Sequence, residues 1–91
     1  MDEARINRAR FRAWRRGFRE ADLILGPFAD SHVHGMSESE LTLFEALLDE
    51  TDHDIYDWIT GAAPTPPRYD GELMRGLRDV RPSDRPIGDL T

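Results

Sequence analysis

The run Arg15-Arg16-Gly17-Phe18-Arg19-Glu20, followed by Asp22, concentrates more interaction chemistry than any other stretch of the chain. Two adjacent guanidinium groups offer planar forks of N–H donors that match carboxylate or phosphate oxygens bidentately. Gly17 has no side chain to hold another backbone away, and Glu20 and Asp22 supply acceptors. The set suits recognition better than proton transfer, because Arg stays protonated at neutral pH and makes a poor acid or base. Local helix physics accounts for the same residues. Arginines suit the negative end of a first helix, Gly17 suits the position just past it, and Glu20 suits the first turn of a second helix. Both readings remain open, and Arg15, Arg16, Gly17, Phe18, Arg19, Glu20 and Asp22 form the candidate partner-binding set.

Other constellations are weaker. His32 and His34 are two apart and diverge on a helix; Asp30 and His34 have ligand-like spacing of four, but two groups make no metal site and read as a surface pair. The acids Asp49, Glu50, Asp52, Asp54 and Asp57 lack the ligand order and central glycine of a calcium loop. They read as helix-start charge and a solvated face. Ser31 and His32 have no oxyanion turn beside them, and no glycine-rich phosphate cradle is present. Trp14 and Trp58 are expected in the core. The sequence gives no sign of an enzyme, and no catalytic residue, metal site or cofactor of its own is expected.

The elements that must carry these residues are helical. Apolar positions recur at three- and four-residue steps, and no stretch alternates as a strand does. A first helix is expected over 2–15, with Ile6, Ala9, Ala13 and Trp14 on one face and Arg5, Arg8, Arg12, Arg15 and Arg19 as a stripe on another. Gly17 breaks the pattern. A second helix is expected from Phe18 to His32, burying Ala21, Ile24, Leu25 and Phe28, with Pro27 kinking it. Gly35 is expected to take a left-handed cap. Ser37 and Glu40 have capping-box spacing, with Met36 stapled to Leu41. The third helix turns Leu41, Phe44, Leu47 and Leu48 inward. Thr51 or Asp52 caps a fourth, which holds Ile55, Trp58 and Ile59 and stops at Gly61. Pro64, Pro66 and Pro67 form a stiff connector. A fifth helix is expected from Asp70, with Leu73, Met74, Leu77 and Val80, ended by Pro82. The fold is thus an all-α, five-helix bundle in a single domain over 1–81, with 82–91 as a loose tail.

Composition agrees with a small helical domain. With 91 residues the chain buries only roughly 60–65% of its unfolded surface, and without cysteine no disulfide supplements the core. No apolar run approaches the ~20 residues of a membrane span, and no secretory apolar segment follows Met1, so a cytoplasmic protein is expected. Charge is segregated. All 12 basic residues are Arg, seven of them within the first nineteen positions, whereas Glu20 to Gly61 holds eleven acids and no base. A net charge of −6 argues against general nucleic-acid binding. One basic arm on an acidic body favours a specific protein partner.

Arg16-Gly17-Phe18-Arg19-Glu20 resembles the RGxxE signature of the SdhE family, the bacterial relatives of succinate dehydrogenase assembly factor 2. The resemblance continues through Asp22, Pro27-Phe28, Ser37 with Glu40, Phe44, Leu47-Leu48, Asp54-Ile55 and Trp58-Ile59. It covers roughly 5–61, loosens beyond Gly61, and departs at His53, where many members carry proline. It implies a five-helix bundle that binds the flavoprotein subunit of succinate dehydrogenase and often that of fumarate reductase; because the five amphipathic segments share one core, the free chain is expected to be a monomer. It further implies that the bundle promotes covalent attachment of the client's FAD without being an enzyme. The motif positions carried over are Arg16, Gly17 and Glu20, flanked by Arg15, Phe18, Arg19 and Asp22. Some members pair as antitoxins with a membrane toxin, which is the alternative.

Overall fold

A computed structural model of the chain describes residues 3–80. Its α-helices are α1 (Glu3–Trp14), α2 (Arg19–His32), α3 (Glu38–Leu48), α4 (Asp52–Thr60) and α5 (Glu72–Asp79). Short 3₁₀ turns at Val33–Gly35 and Pro67–Tyr69 lie between α2 and α3 and between α4 and α5. The fold is all-α, and no strand occurs among the described residues. The expected tail 82–91 and the helix stop at Pro82 lie outside them.

The helix ends follow local chemistry. Ser37 caps α3: its hydroxyl accepts from the Glu40 N–H at 3.2 Å, and the Glu40 carboxylate accepts from the Ser37 N–H at 2.7 Å. Thr51 caps α4 by accepting from the Asp54 N–H at 3.2 Å, and Gly61 ends that helix with φ +87°. Gly35 does not take the expected left-handed conformation. It closes a 3₁₀ turn, and Met36 then leaves in extended conformation, so chain reversal needs no positive φ there. α5 begins at Glu72 rather than Asp70, because the 3₁₀ turn Pro67–Tyr69 occupies the approach. α2 continues through Pro27, and the Ser31 hydroxyl donates to the Pro27 carbonyl at 3.0 Å.

α2 is the central element, packing against α1, α4 and α5. It buries Ala21, Ile24, Leu25, Phe28 and Ala29 against Leu41, Phe44, Leu47 and Leu48 of α3, Ile55, Trp58 and Ile59 of α4, and Met74 and Leu77 of α5. Full burial of each large apolar side chain contributes about 1.5–3 kcal/mol. α1 turns small residues inward, with Ala9 and Ala13 buried beside Ile6, so its backbone comes close to α2. Closeness also decides the fate of Trp14. Expected in the core, it is 37% exposed instead. Its ring lies flat over Gly26 of α2, where an added Cβ would stand 2.3 Å from Trp14 Cδ2, and its indole N–H donates to Asp30 at 3.2 Å.

The arginine stripe is divided by this packing. Arg5 grips Glu45 of α3 bidentately at 2.9 and 2.7 Å and also pairs with Glu38. The Arg5 hydrogen bonds hold the Glu45 carboxyl below the usual carboxylate range, against the opposing effect of its burial. Arg10 pairs with Asp30 and Arg12 with Asp49. The acids of the α3–α4 region thus partly serve as counter-charges for α1. Asp30 and His34 are not a pair: Asp30 faces Arg10 and Trp14, and His34 faces Glu3.

Candidate functional site at the α1–α2 junction

The junction is a four-residue turn, 15–18, between α1 and α2. Gly17 sits in the left-handed region at φ +86°, which glycine adopts without the Cβ penalty of other residues. Asp22 closes the turn from the next helix. Its carboxylate accepts from the Arg16 N–H at 3.0 Å, and its own N–H donates to the Phe18 carbonyl at 2.9 Å. Phe18 packs edge-on against His53 and against Tyr56 of α4, with ring centroids 5.1 and 5.3 Å away.

Arg16 binds inside the protein. Only 10% of its side chain is exposed. It pairs with Asp52 and donates to the carbonyl oxygens of Leu48 at 2.8 Å and Glu50 at 2.7 Å. Both acceptors belong to the last turn of α3 and the loop after it, where helix carbonyls lack intrahelical donors. One guanidinium therefore satisfies the C-terminal end of α3, the start of α4 and the α1–α2 turn together.

The candidate set separates into two groups. Arg16, Phe18 and Asp22 build the junction, whereas Arg15, Arg19 and Glu20 are exposed around it. Arg15 stacks over the Phe11 ring at 4.6 Å but has no carboxylate partner, and the Arg19 and Glu20 side chains have no hydrogen bond or ion pair among the described residues. Gly17 is exposed, and apart from its chain neighbours no atom of the described residues lies within 4 Å of where its Cβ would be. Its glycine requirement within the chain comes from φ alone; the space above it is open.

Sequence reasoning missed two participants. Asp52 was legible only as a helix-start acid, and its pairing with a residue 36 positions away has no local signal. Phe11 lies about 140° around the helix from Ile6, out of the buried line, which marks it as outward-facing. It is 59% exposed. Among the described residues no three metal-binding side chains converge, and no helix is long and apolar enough to cross a membrane.

Fold and site together define a small helical bundle whose distinctive charged residues gather at one interhelical turn. Residues 7–81 match the family described as flavinator of succinate dehydrogenase. The chain is similar to the mitochondrial succinate dehydrogenase assembly factor 2 proteins of Meyerozyma guilliermondii (38% identical over 90 residues) and Drosophila grimshawi (36% over 76). It is likewise similar to that of Candida glabrata (40% over 73). These alignments cover 93%, 81% and 76% of the chain, but 67%, 52% and 48% of the respective relatives, so the chain spans about half the length of two of them. The chain belongs to the succinate dehydrogenase assembly factor 2 family.

Proposed function

We propose that this chain is a non-catalytic assembly factor that binds the flavoprotein subunit of succinate dehydrogenase and promotes covalent attachment of its FAD. The fumarate reductase flavoprotein is a further client in this reading. The observation that carries it, beyond family membership, is the division at the junction. Arg16 and Asp22 fasten the turn by hydrogen bonds, and Arg15, Arg19 and Glu20 stand outside it without carboxylate or cationic partners among the described residues. Unused charges on a preorganised turn are what a partner's surface can engage at low ordering cost.

The bond-forming chemistry belongs to the client's histidine and its flavin, as cofactor chemistry generally does. The arginines cannot exchange protons at neutral pH, so the chain acts by binding. A helper that favours one client conformation holds histidine and flavin in reacting geometry. A differential affinity of ~2.7 kcal/mol shifts such an equilibrium about a hundredfold. The chain carries no flavin of its own in this scheme and acts as a monomer in the cytoplasm. Nothing in the geometry favours the antitoxin alternative.

Reconstitution tests the proposal. The purified flavoprotein subunit is incubated with FAD, with and without the chain, and covalent flavin is read by fluorescence in a denaturing gel. Faster attachment with the chain supports the reading; equal rates with and without it reject it.

A further inference from the structure

Four arginines of α1 and its following turn are used internally: Arg5, Arg10, Arg12 and Arg16 each hold a carboxylate of the bundle. Among the described residues Arg8 and Arg15 form no ion pair with a carboxylate, and Arg15 lies over the Phe11 ring. They lie three and four residues either side of Phe11, so the three side chains share one outward face of α1. Phe11 is the most exposed large apolar side chain among the described residues, at 59%, and it borders three adjacent depressions on the surface. One is shared with Arg12, Arg15 and Asp52, another with Asn7 and Arg8, the third with Trp14 and Asp30. A solvated charge face needs no aromatic ridge, and an exposed aromatic flanked by arginines that form no ion pair among the described residues has the composition of an interface centre.

We infer that the Arg8–Phe11–Arg15 face of α1 is a docking surface for an acidic segment of the client flavoprotein, one that covers Phe11 with an apolar side chain. The inference rests on the assembly-factor reading and extends its contact surface about two helical turns from Gly17 toward the N-terminus of α1. Charge complementarity selects the occupant. The two guanidinium groups favour carboxylates, while the net charge of −6 repels a polyanion at long range and sets like-charge repulsion against a second copy. The arginines steer encounter, and Phe11 slows departure.

The test measures association and dissociation of the full chain on the immobilised flavoprotein subunit of succinate dehydrogenase at several salt concentrations. Wild type is compared with Phe11→Ser and with the double variant Arg8→Glu, Arg15→Glu, each first shown to keep the wild-type melting temperature. Phe11→Ser is expected to raise the dissociation rate at least tenfold with little change in association. The double charge reversal is expected to slow association at least tenfold at low salt and to flatten its salt dependence. Wild-type kinetics in both variants would overturn the docking face and leave the assembly-factor reading standing. Failure of the wild-type chain itself to bind would reject that reading, and the docking face with it. Tighter binding of the wild type to anionic lipid vesicles or to RNA, or Phe11-dependent dimerisation in sedimentation, would assign the face to another occupant and overturn the inference.

Discussion

The guanidinium of Arg16 donates to the main-chain oxygen of Glu50 at 2.7 Å, across 34 positions of sequence. Leu48 and Asp52 are bound by the same group, so the turn that displays Gly17 and leads into Glu20 of α2 is fastened to the α3–α4 connection rather than left to its own helix ends. The signature arginine thereby acts as a positioning residue in the free chain.

Arg16→Lys should therefore be destabilising although it conserves charge. A lysine ammonium cannot span Asp52 and two carbonyls with one planar fork, and at least one largely buried acceptor loses its donor. The expected loss is about 1–3 kcal/mol, read from chemical denaturation. Stability equal to wild type would show that the three contacts contribute nothing in solution.

Gly26→Ala should disturb the α1–α2 interface, since the new methyl would stand 2.3 to 2.6 Å from three atoms of the Trp14 ring. Such overpacking costs about 1–3 kcal/mol. Trp14→Ala in the same chain removes the clash, so the double variant should lose less than the sum of the two single losses. Strict additivity would mean that Trp14 does not lie on Gly26.

Phe44 is fully buried and packs tilted against Phe28, with 5.6 Å between ring centroids. Phe44→Ala should cost about 3–5 kcal/mol in thermal or denaturant unfolding. An unchanged transition would contradict the orientation of α3.

These residues show what the sequence makes legible. The capping box of Ser37 and Glu40, the Thr51 cap and the Gly61 stop are local, decided within a few residues, and each is found where spacing places it. The inward faces of α3 and α4 follow from period alone. Trp14 and Gly35 were misread because their outcome is set by neighbours remote in sequence: the proximity of α2 turns Trp14 outward, and a 3₁₀ turn removes the need for a positive φ at Gly35. At the candidate site, Gly17 was legible as a left-handed turn residue. The split of its neighbours into Arg16, Phe18 and Asp22 within and Arg15, Arg19 and Glu20 without depends on the approach of α3 and α4, which no local pattern encodes.

Tyr69 gives a pH prediction. It is buried, and its hydroxyl donates to Glu50 at 2.7 Å. Burial first, and then this hydrogen bond, push its pKa up to about 12. The folded state thus holds the phenolic proton more tightly than the unfolded chain, whose tyrosine titrates near ~10. The corresponding stability is complete below about pH 10 and is lost as pH rises from there toward 12. Alkaline denaturation should show this decline, and Tyr69→Phe should remove that part of it. An identical alkaline profile in the variant would exclude Tyr69 as its source.

Gly17 and Glu20 separate a helix-end role from a contact role. Gly17 is left-handed at φ +86° with open space around its missing Cβ, so a substitution there meets strain but no clash among the described residues. Strain alone predicts an order: Gly17→Ala loses about 1–2 kcal/mol, whereas Gly17→Asn loses less, because Asn tolerates this region. If the role ends there, Gly17→Asn should support flavin attachment nearly as well as wild type. If the client's backbone closes over Gly17, Asn and Ala should both abolish attachment, and their failure should not follow the order of their melting temperatures. Glu20 supplies the charge test. As a first-turn acid of α2 with no partner among the described residues, its change to Gln costs only a few tenths to ~1 kcal/mol of stability. As a desolvated contact, the same change weakens client binding by ~2 kcal/mol or more. We expect Gly17→Asn and Glu20→Gln to fold with near-normal melting curves and to fail in the in-gel flavin assay. Normal flavin fluorescence beside a lowered melting temperature would reduce the junction to a helix stop.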